Sequence, residues 1–125
     1  MSNTSARVLV VDDLDLVLDF ARSFLETAGY EVLVANSAEE ALGILEKEQT
    51  PVNLLFTDYN MPGMSGRQLI HQAAARWPEM KFVLTSGFLE DDDRRQIEKE
   101  YGARILDKPF HISEATELIG ELLAF

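Results

Sequence analysis

Five short apolar runs alternate with longer amphipathic segments along the chain. The runs lie at residues 8–11, 32–35, 54–56, 82–84 and 105–106. Each is apolar at successive positions rather than at every second one, which favours parallel strands that are covered on both faces. The pattern predicts five strands that alternate with five helices. We therefore expect an α/β fold with right-handed crossovers and helices on both faces of one doubly wound sheet.

Apolar residues at three- and four-residue spacing predict the first helix, which Gly29 would end. Its expected buried stripe is Leu14, Val17, Leu18, Ala21, Leu25 and Ala28. A second helix is predicted to open with a capping box formed by Ser37 and Glu40. A third is expected over residues 66–76, where Pro78 would stop it.

The last two helices differ in how many apolar residues they offer to the core. The fifth begins at about Ser113, and its expected apolar face comprises Ile112, Ala115, Ile119 and Leu122. The fourth covers about residues 92–101 and has only Ile97 and Tyr101 as apolar anchors. The fourth helix is therefore predicted to be the one that is held least firmly by the core.

Length and composition limit the kind of protein this is. At 125 residues the chain fits one domain, for which we expect the range 1–125 with residues 1–6 as a flexible tail. The absence of cysteine excludes disulfides, thiolate metal sites and cysteine nucleophiles. Its 22 acidic and 11 basic residues, a formal net charge of −11, argue against direct binding of nucleic acid. No apolar run suggests a membrane span or a signal peptide, so we expect a cytoplasmic protein.

Polar residues with useful chemistry follow four of the five predicted strands. They are Asp12, Asp13, Asp58, Thr85, Ser86 and Lys108. Because the carboxyl ends of parallel strands meet at one edge of a sheet, we expect these side chains to converge there. Three carboxylates repel one another, and Mg²⁺ together with Lys108 would balance their charge. Such a site suits phosphoryl transfer, with a carboxylate as the nucleophile.

Each of these residues also has an ordinary structural explanation. An aspartate after a strand is commonly the N-cap of the next helix, which fits Asp12 or Asp13. Asp58 would serve equally well as a turn residue, Ser86 as a turn hydroxyl and Lys108 as a solvated lysine. It is their combination at the ends of the strands that favours a functional site.

Four segments of the sequence together resemble the receiver domains of two-component response regulators, the CheY-like domains. They are Val-Val-Asp-Asp at 10–13, Thr-Asp-Tyr-Asn-Met-Pro-Gly-Met-Ser-Gly at 57–66, Thr-Ser-Gly at 85–87 and Lys-Pro-Phe at 108–110. The resemblance extends from Arg7 to about Leu123. It implies the flavodoxin-like strand order 2-1-3-4-5, in a signalling module that catalyses only its own phosphorylation and dephosphorylation and is not a turnover enzyme.

The resemblance also implies a role for each matching residue. Asp58 corresponds to the phosphoacceptor, and Asp12 and Asp13 to the acidic pair that binds Mg²⁺. Asn60 corresponds to the residue whose backbone carbonyl completes the metal shell. Lys108 corresponds to the lysine that holds the phosphoryl oxygens.

Two neighbouring hydroxyls compete for the role of the switch residue, which turns towards the phosphoryl group. Side chains alternate along a strand, so only one of Thr85 and Ser86 is expected at the edge. We prefer Ser86, because Ser86-Gly87 fits the Thr/Ser-Ala/Gly pair of the family. Many receiver domains have an aromatic residue where this chain has Ile105, so switching is expected to rely on the backbone near Ser86 and on the fourth helix.

The implied partners follow from the same resemblance. The phosphoryl donor would be a sensor histidine kinase, a histidine phosphotransfer protein or a small acyl phosphate. A second copy of the chain is a further expected partner, bound after phosphorylation through the face made by the fourth helix, fifth strand and fifth helix. The segments at 85–88 and 107–110 look more like receivers fused to hybrid sensor kinases than like those fused to DNA-binding domains.

Two other functions remain as alternatives. The segment Asp13-Leu14-Asp15-Leu16-Val17 matches the nucleophile motif of haloacid-dehalogenase-like phosphatases, with Asp13 as the nucleophile. Against this, the pattern predicts that Asp15 lies on the exposed side of the first helix. A flavodoxin-like nucleotide-binding protein is disfavoured because no glycine-rich phosphate loop follows the first strand.

Overall fold

A computed structural model of the protein describes residues 6–124, so the expected flexible tail at residues 1–6 lies outside the described part apart from Ala6. Strands and helices alternate along the chain. The elements are β1 (Arg7–Val11), α1 (Asp15–Thr27), β2 (Glu31–Ala35), α2 (Ala38–Lys47), β3 (Leu54–Asp58), α3 (Gly66–Arg76), β4 (Lys81–Ser86), α4 (Asp91–Tyr101), β5 (Arg104–Asp107) and α5 (Ile112–Leu123). No helix within residues 6–124 is both long and apolar enough to cross a membrane.

The five strands form one parallel sheet in the order β2-β1-β3-β4-β5, which confirms the expected fold. α1 and α5 pack on one face of the sheet, and α2, α3 and α4 pack on the other. The register places Asp58 beside Thr85, and Ser86 beside Asp107. The polar residues at the ends of the central strands therefore share one edge of the sheet.

The buried stripe of α1 is shorter than its periodicity predicts. Leu18, Ala21 and Leu25 are buried as expected, but Leu14 and Ala28 are exposed. Leu14 is the N-cap and Ala28 the C-cap, so each lies beyond the helical turns that face the sheet. Phe24, which the predicted stripe omitted, is buried instead.

The start of α5 shows the same kind of difference. Ile112 is its first residue and is 44% exposed, whereas Ala115 and Ile119 are fully buried. Ile112 lies in the first turn, three residues before Ala115, which is the first fully buried residue of the helix. Periodicity thus identified the buried face but not where along the helix burial begins.

The predicted capping box of α2 is only half formed. The Ser37 hydroxyl accepts a hydrogen bond from the backbone N–H of Glu40 at 3.0 Å, as expected. The Glu40 carboxylate, however, accepts from the N–H of Asn36 at 2.7 Å rather than from that of Ser37. A complete box does open α3, where Ser65 and Gln68 bond reciprocally. That box was not predicted.

The structure confirms that α4 has few apolar anchors. Ile97 is its one buried residue, and Tyr101 is half-buried against the same core cluster. The remainder of the helix is polar, and its first turn contains Asp91, Asp92 and Asp93, which complement the positive end of the helix dipole.

Candidate functional site

Three carboxylates meet where β1 and β3 end at the edge of the sheet. Each of Asp12, Asp13 and Asp58 places one carboxylate oxygen within 4.8 Å of those of the other two. Asp12 and Asp58 are buried, with 3% and 7% of their surface exposed, whereas Asp13 is exposed. The adjacency of β1 and β3 explains this proximity, because parallel neighbours bring their carboxyl ends together.

Lys108 supplies a positive charge to the same cluster. Its Nζ lies 2.9 Å from Oδ1 of Asp58, as an ion pair and a hydrogen bond. The residue directly follows β5, and its backbone N–H donates to the carbonyl of Ser86 at 2.8 Å. The end of β4 thus helps to hold the lysine in place against the carboxylate on β3.

The surroundings of Asp12 shift the pKa of its carboxyl upward. Burial raises the pKa of the Asp12 carboxyl, and the nearby charge of Asp58 raises it further. The backbone N–H of Leu14, which donates to Asp12 Oδ1 at 3.0 Å, acts in the opposite direction and lowers this pKa. A cation at this position would stabilise the ionised form that the buried environment opposes.

The donor set fits a hard divalent cation such as Mg²⁺. Oxygen atoms of clustered carboxylates are the ligands such ions prefer, and the three negative charges exceed what Lys108 alone can balance. Within residues 6–124, this is the one group of acidic or histidine side chains with such spacing. Asp12, Asp13 and Asp58 could therefore hold Mg²⁺.

The two hydroxyls at the end of β4 have different partners. The Thr85 hydroxyl donates to Oδ1 of Asp58 at 3.4 Å, and the Ser86 hydroxyl donates to the backbone carbonyl of Phe88 at 2.9 Å. The structure thus brings Thr85, rather than the preferred Ser86, to hydrogen-bonding distance of the carboxylate. The role of Ser86 as the switch hydroxyl stays a prediction.

Asn60 lies in the loop that follows β3 and is exposed. It lines a shallow surface depression together with Tyr59, Met61, Pro62 and Ser65. Its predicted contribution is a backbone carbonyl, so the exposure of its side chain is compatible with that role. The assignment of the Asn60 carbonyl to a metal shell stays a prediction.

Sequence reasoning assigned no role to Gly66, although the residue closes the longest motif. A Cβ atom at this position would lie 2.1 Å from the backbone oxygen of Asp58 and 2.9 Å from Cδ1 of Leu84. The N–H of Gly66 also donates to the carbonyl of Tyr59 at 2.9 Å. Glycine therefore allows the start of α3 to pack directly on the backbone that carries Asp58.

The geometry does not support the phosphatase alternative. Its motif would require Asp13 and Asp15 to act together, but Asp15 is exposed as the first residue of α1. The carboxylates that cluster with Asp13 are those of Asp12 and Asp58.

Several known proteins are similar to this chain in sequence. Over 117 residues the chain is 31% identical to the response regulator receiver protein CpdR of Brucella abortus, and the match covers 94% of this chain and 96% of that protein. It is 34% identical over 119 residues to the sensor kinase CckA of the same organism, a match that covers 95% of this chain. The chain spans between 13% and 24% of the length of CckA and of three further relatives.

Solved structures show the same fold. A response regulator receiver domain protein from Clostridium thermocellum superimposes with a TM-score of 0.88 at 28% identity, covering 94% of both chains. The chemotaxis protein CheY4 of Vibrio cholerae superimposes with a TM-score of 0.86 at 26% identity, covering 96% of this chain and 100% of that one. The sequence profile of the response regulator receiver domain matches residues 8–120. The chain therefore belongs to the receiver domain family of two-component response regulators.

Proposed function

We propose that Asp58 accepts a phosphoryl group from the phosphohistidine of a sensor histidine kinase or of a histidine phosphotransfer protein. The observation that carries the proposal is the contact between Lys108 Nζ and Asp58 Oδ1, 2.9 Å long, inside a cluster of three carboxylates. A lysine and a group of hard oxygen ligands beside one carboxylate are the parts that stabilise a phosphoryl group during transfer.

The transfer forms one bond and breaks one. A carboxylate oxygen of Asp58 attacks phosphorus, and the bond between phosphorus and the imidazole nitrogen breaks, with the electron pair staying on nitrogen. The product is an acyl phosphate on Asp58. As phosphoryl oxygens arrive, the Lys108 ammonium exchanges its contact with Asp58 for a contact with one of them.

Asp12, Asp13 and Asp58, with the backbone carbonyl of Asn60, would hold Mg²⁺ in this site. When bound, Mg²⁺ offsets the negative charge of the carboxylates and of the phosphoryl oxygens. Asp12 must be ionised to act as a ligand. As pH falls, protons compete with the metal for the Asp12 carboxylate. Because the pKa of Asp12 is raised, this competition should begin at a higher pH than it would for an ordinary aspartate.

Ser86 would transmit the phosphorylation state to α4. In this structure its hydroxyl bonds to the carbonyl of Phe88, in the segment that leads into α4. A turn of the Ser86 hydroxyl towards the phosphoryl group would release that carbonyl and let the segment change conformation. The surface formed by α4, β5 and α5 would then change, and a second phosphorylated copy of the chain would bind there.

The module would therefore regulate through its phosphorylation state and not turn over a substrate. Relatives that include both a sensor kinase and a receiver protein support a histidine kinase pathway as the source of the phosphoryl group. We place the protein in the cytoplasm, as expected from its sequence.

Labelling with acetyl phosphate tests the proposal. Incubation of the protein with acetyl phosphate and Mg²⁺ should add one phosphoryl group, located on Asp58 by peptide mapping and labile to base. Asp58→Asn and addition of EDTA should each abolish the label. Asp15→Asn, which removes an exposed carboxylate outside the cluster, should leave it unchanged. Label that persists in Asp58→Asn, or that maps to another residue, would overturn the assignment.

A further inference from the structure

In the part of the chain that the structure describes, the hydrogen bonds to the Asp58 carboxylate all go to one of its oxygens. Both Lys108 Nζ, at 2.9 Å, and the Thr85 hydroxyl, at 3.4 Å, donate to Oδ1. Within residues 6–124, Oδ2 accepts no hydrogen bond from the protein. The two oxygens of the phosphoacceptor are therefore distinct before any phosphoryl donor arrives, with Oδ1 held and Oδ2 open.

Thr85 is directed at this carboxylate by the sheet itself. The β3–β4 register places Thr85 beside Asp58, and parallel neighbours in register present their side chains on the same face. Only 3% of Thr85 is exposed, so its hydroxyl has little access to water. A buried hydroxyl without a partner is unfavourable, and the partner of this one is Asp58 Oδ1.

This contact differs from the contact made by the neighbouring hydroxyl. Ser86 is directed at the carbonyl of Phe88, so it takes no part in orienting the carboxylate in this structure. Lys108 leaves Oδ1 when it moves to a phosphoryl oxygen. Thr85 is then the side chain that still donates to Oδ1, which becomes the carbonyl oxygen of the acyl phosphate.

We propose that Thr85 is a positioning residue for the phosphoacceptor, because its hydroxyl holds Oδ1 and so presents Oδ2 to the incoming phosphorus. With acetyl phosphate as donor, the bond from Oδ2 to phosphorus forms while the bond from phosphorus to the acetate oxygen breaks, and acetate leaves with the electron pair. This inference rests on the proposed phosphorylation of Asp58. It gives the Thr85 hydroxyl the task of orienting the carboxylate and leaves to the Ser86 hydroxyl the task of signalling to α4.

Thr85→Val tests the proposal, since valine keeps the shape of threonine and removes the hydroxyl. Loss of one long hydrogen bond to a charged group should lower the rate of phosphorylation by acetyl phosphate about fivefold. The affinity for Mg²⁺, measured by calorimetry, should change little, and Thr85→Ser should restore the rate. In the metal-free protein, the ¹³C resonance of the Asp58 carboxyl carbon should move in Thr85→Val.

Thr57→Val is the matched control. Thr57 is also a fully buried threonine at the end of a central strand, but its hydroxyl donates to the backbone oxygen of Asp58 at 3.1 Å and not to the carboxylate. This variant should change neither the rate of phosphorylation by acetyl phosphate nor the ¹³C chemical shift of the Asp58 carboxyl carbon. If Thr85→Val does not fold, Thr85→Ala provides the same comparison with the methyl group also removed.

The outcomes separate this proposal from the proposed function. A Thr85→Val protein with an unchanged rate and an unchanged Asp58 resonance would overturn the role of Thr85. An equal loss of rate in Thr57→Val would also overturn it, because the effect would then belong to strand packing. A wild-type protein that takes no label at Asp58 would contradict the proposed function, and the resonance in the metal-free protein would still decide whether Thr85 orients the carboxylate.

Discussion

α1 and α4 lie on opposite faces of the sheet and are attached to it in different ways. The first helix buries Leu18, Ala21, Phe24 and Leu25. The fourth, only two residues shorter, buries Ile97 alone. Since burial of an apolar side chain contributes about 1.5–3 kcal/mol, the two helices differ greatly in what the core contributes to holding them.

Polar contacts with neighbouring elements add to the attachment of α4. From α3, Arg67 bonds to Asp93 at 3.5 Å and to Gln96 at 3.1 Å. At the other end of the helix, His71 Nδ1 lies 2.7 Å from the hydroxyl of Tyr101. Contacts of this kind at a surface contribute about 1 kcal/mol or less each, and water can replace them.

One such contact connects α4 with the site. Arg94 pairs with Asp107 at 2.5 Å, and Asp107 directly precedes Lys108, whose Nζ contacts Asp58. A helix that is held mostly by exchangeable polar contacts can change position at small cost, whereas a helix with a buried stripe cannot. The comparison indicates that this sheet combines a firmly packed face at α1 with an adjustable element at α4.

The largest expected difference comes from truncating one buried anchor on each helix. Leu25 and Ile97 are both fully buried, so replacement of either by alanine should cost about 3 kcal/mol locally. In Leu25→Ala we expect this loss in the global free energy of unfolding, measured by urea denaturation. In Ile97→Ala we expect amide exchange of α4 to accelerate far more than that of β1. Equal acceleration in both elements would show that α4 does not open as a separate unit.

A smaller effect should follow from removal of the polar link between α3 and α4. Arg67→Ala breaks two contacts with α4 and should lower the free energy of local opening of that helix by about 1 kcal/mol, as measured by amide exchange. Arg22→Ala on α1 is the control, because among residues 6–124 Arg22 pairs only within its own helix, with Glu26 at 3.9 Å. Unchanged protection of α4 in Arg67→Ala would show that apolar packing alone holds it.

The smallest effect concerns the pH dependence of stability at Tyr101. Burial, followed by the charge of Glu100, raises the pKa of the Tyr101 hydroxyl in the folded protein. Above about pH 10 the unfolded chain therefore loses this proton before the folded protein does, and stability falls as pH rises. Tyr101→Phe should remove this component.

Urea denaturation of the wild type and of Tyr101→Phe, from about pH 9 to pH 11, measures that component, since groups common to both proteins cancel in the difference. Across this range the unfolding free energy of the wild type should fall relative to that of Tyr101→Phe as pH rises. A constant difference would show that Tyr101 titrates alike in both states.

Much of this protein could be predicted from local pattern. Apolar runs placed the five strands, and their last residues identified Asp12, Asp13, Asp58 and Lys108 as neighbours. This worked because the apolar residues of the three central strands, β1, β3 and β4, are all buried, so hydropathy alone locates them. Local pattern failed at Leu14 and Ile112, since periodicity describes a face of a helix and not how far that face extends over the sheet.

The tertiary structure decided what depends on contacts between distant segments. The close packing of Gly66 on the Asp58 backbone, the bond from Thr85 to Asp58 and the polar links of α4 all join residues from different elements. Hydropathy and spacing contain no information about which buried hydroxyl faces which carboxylate. The sequence by itself therefore determined the elements and the chemistry that the strand ends carry. Only the packed sheet decided how those groups are oriented and which polar contacts attach α4 to its neighbours, because both depend on residues that are distant in the sequence.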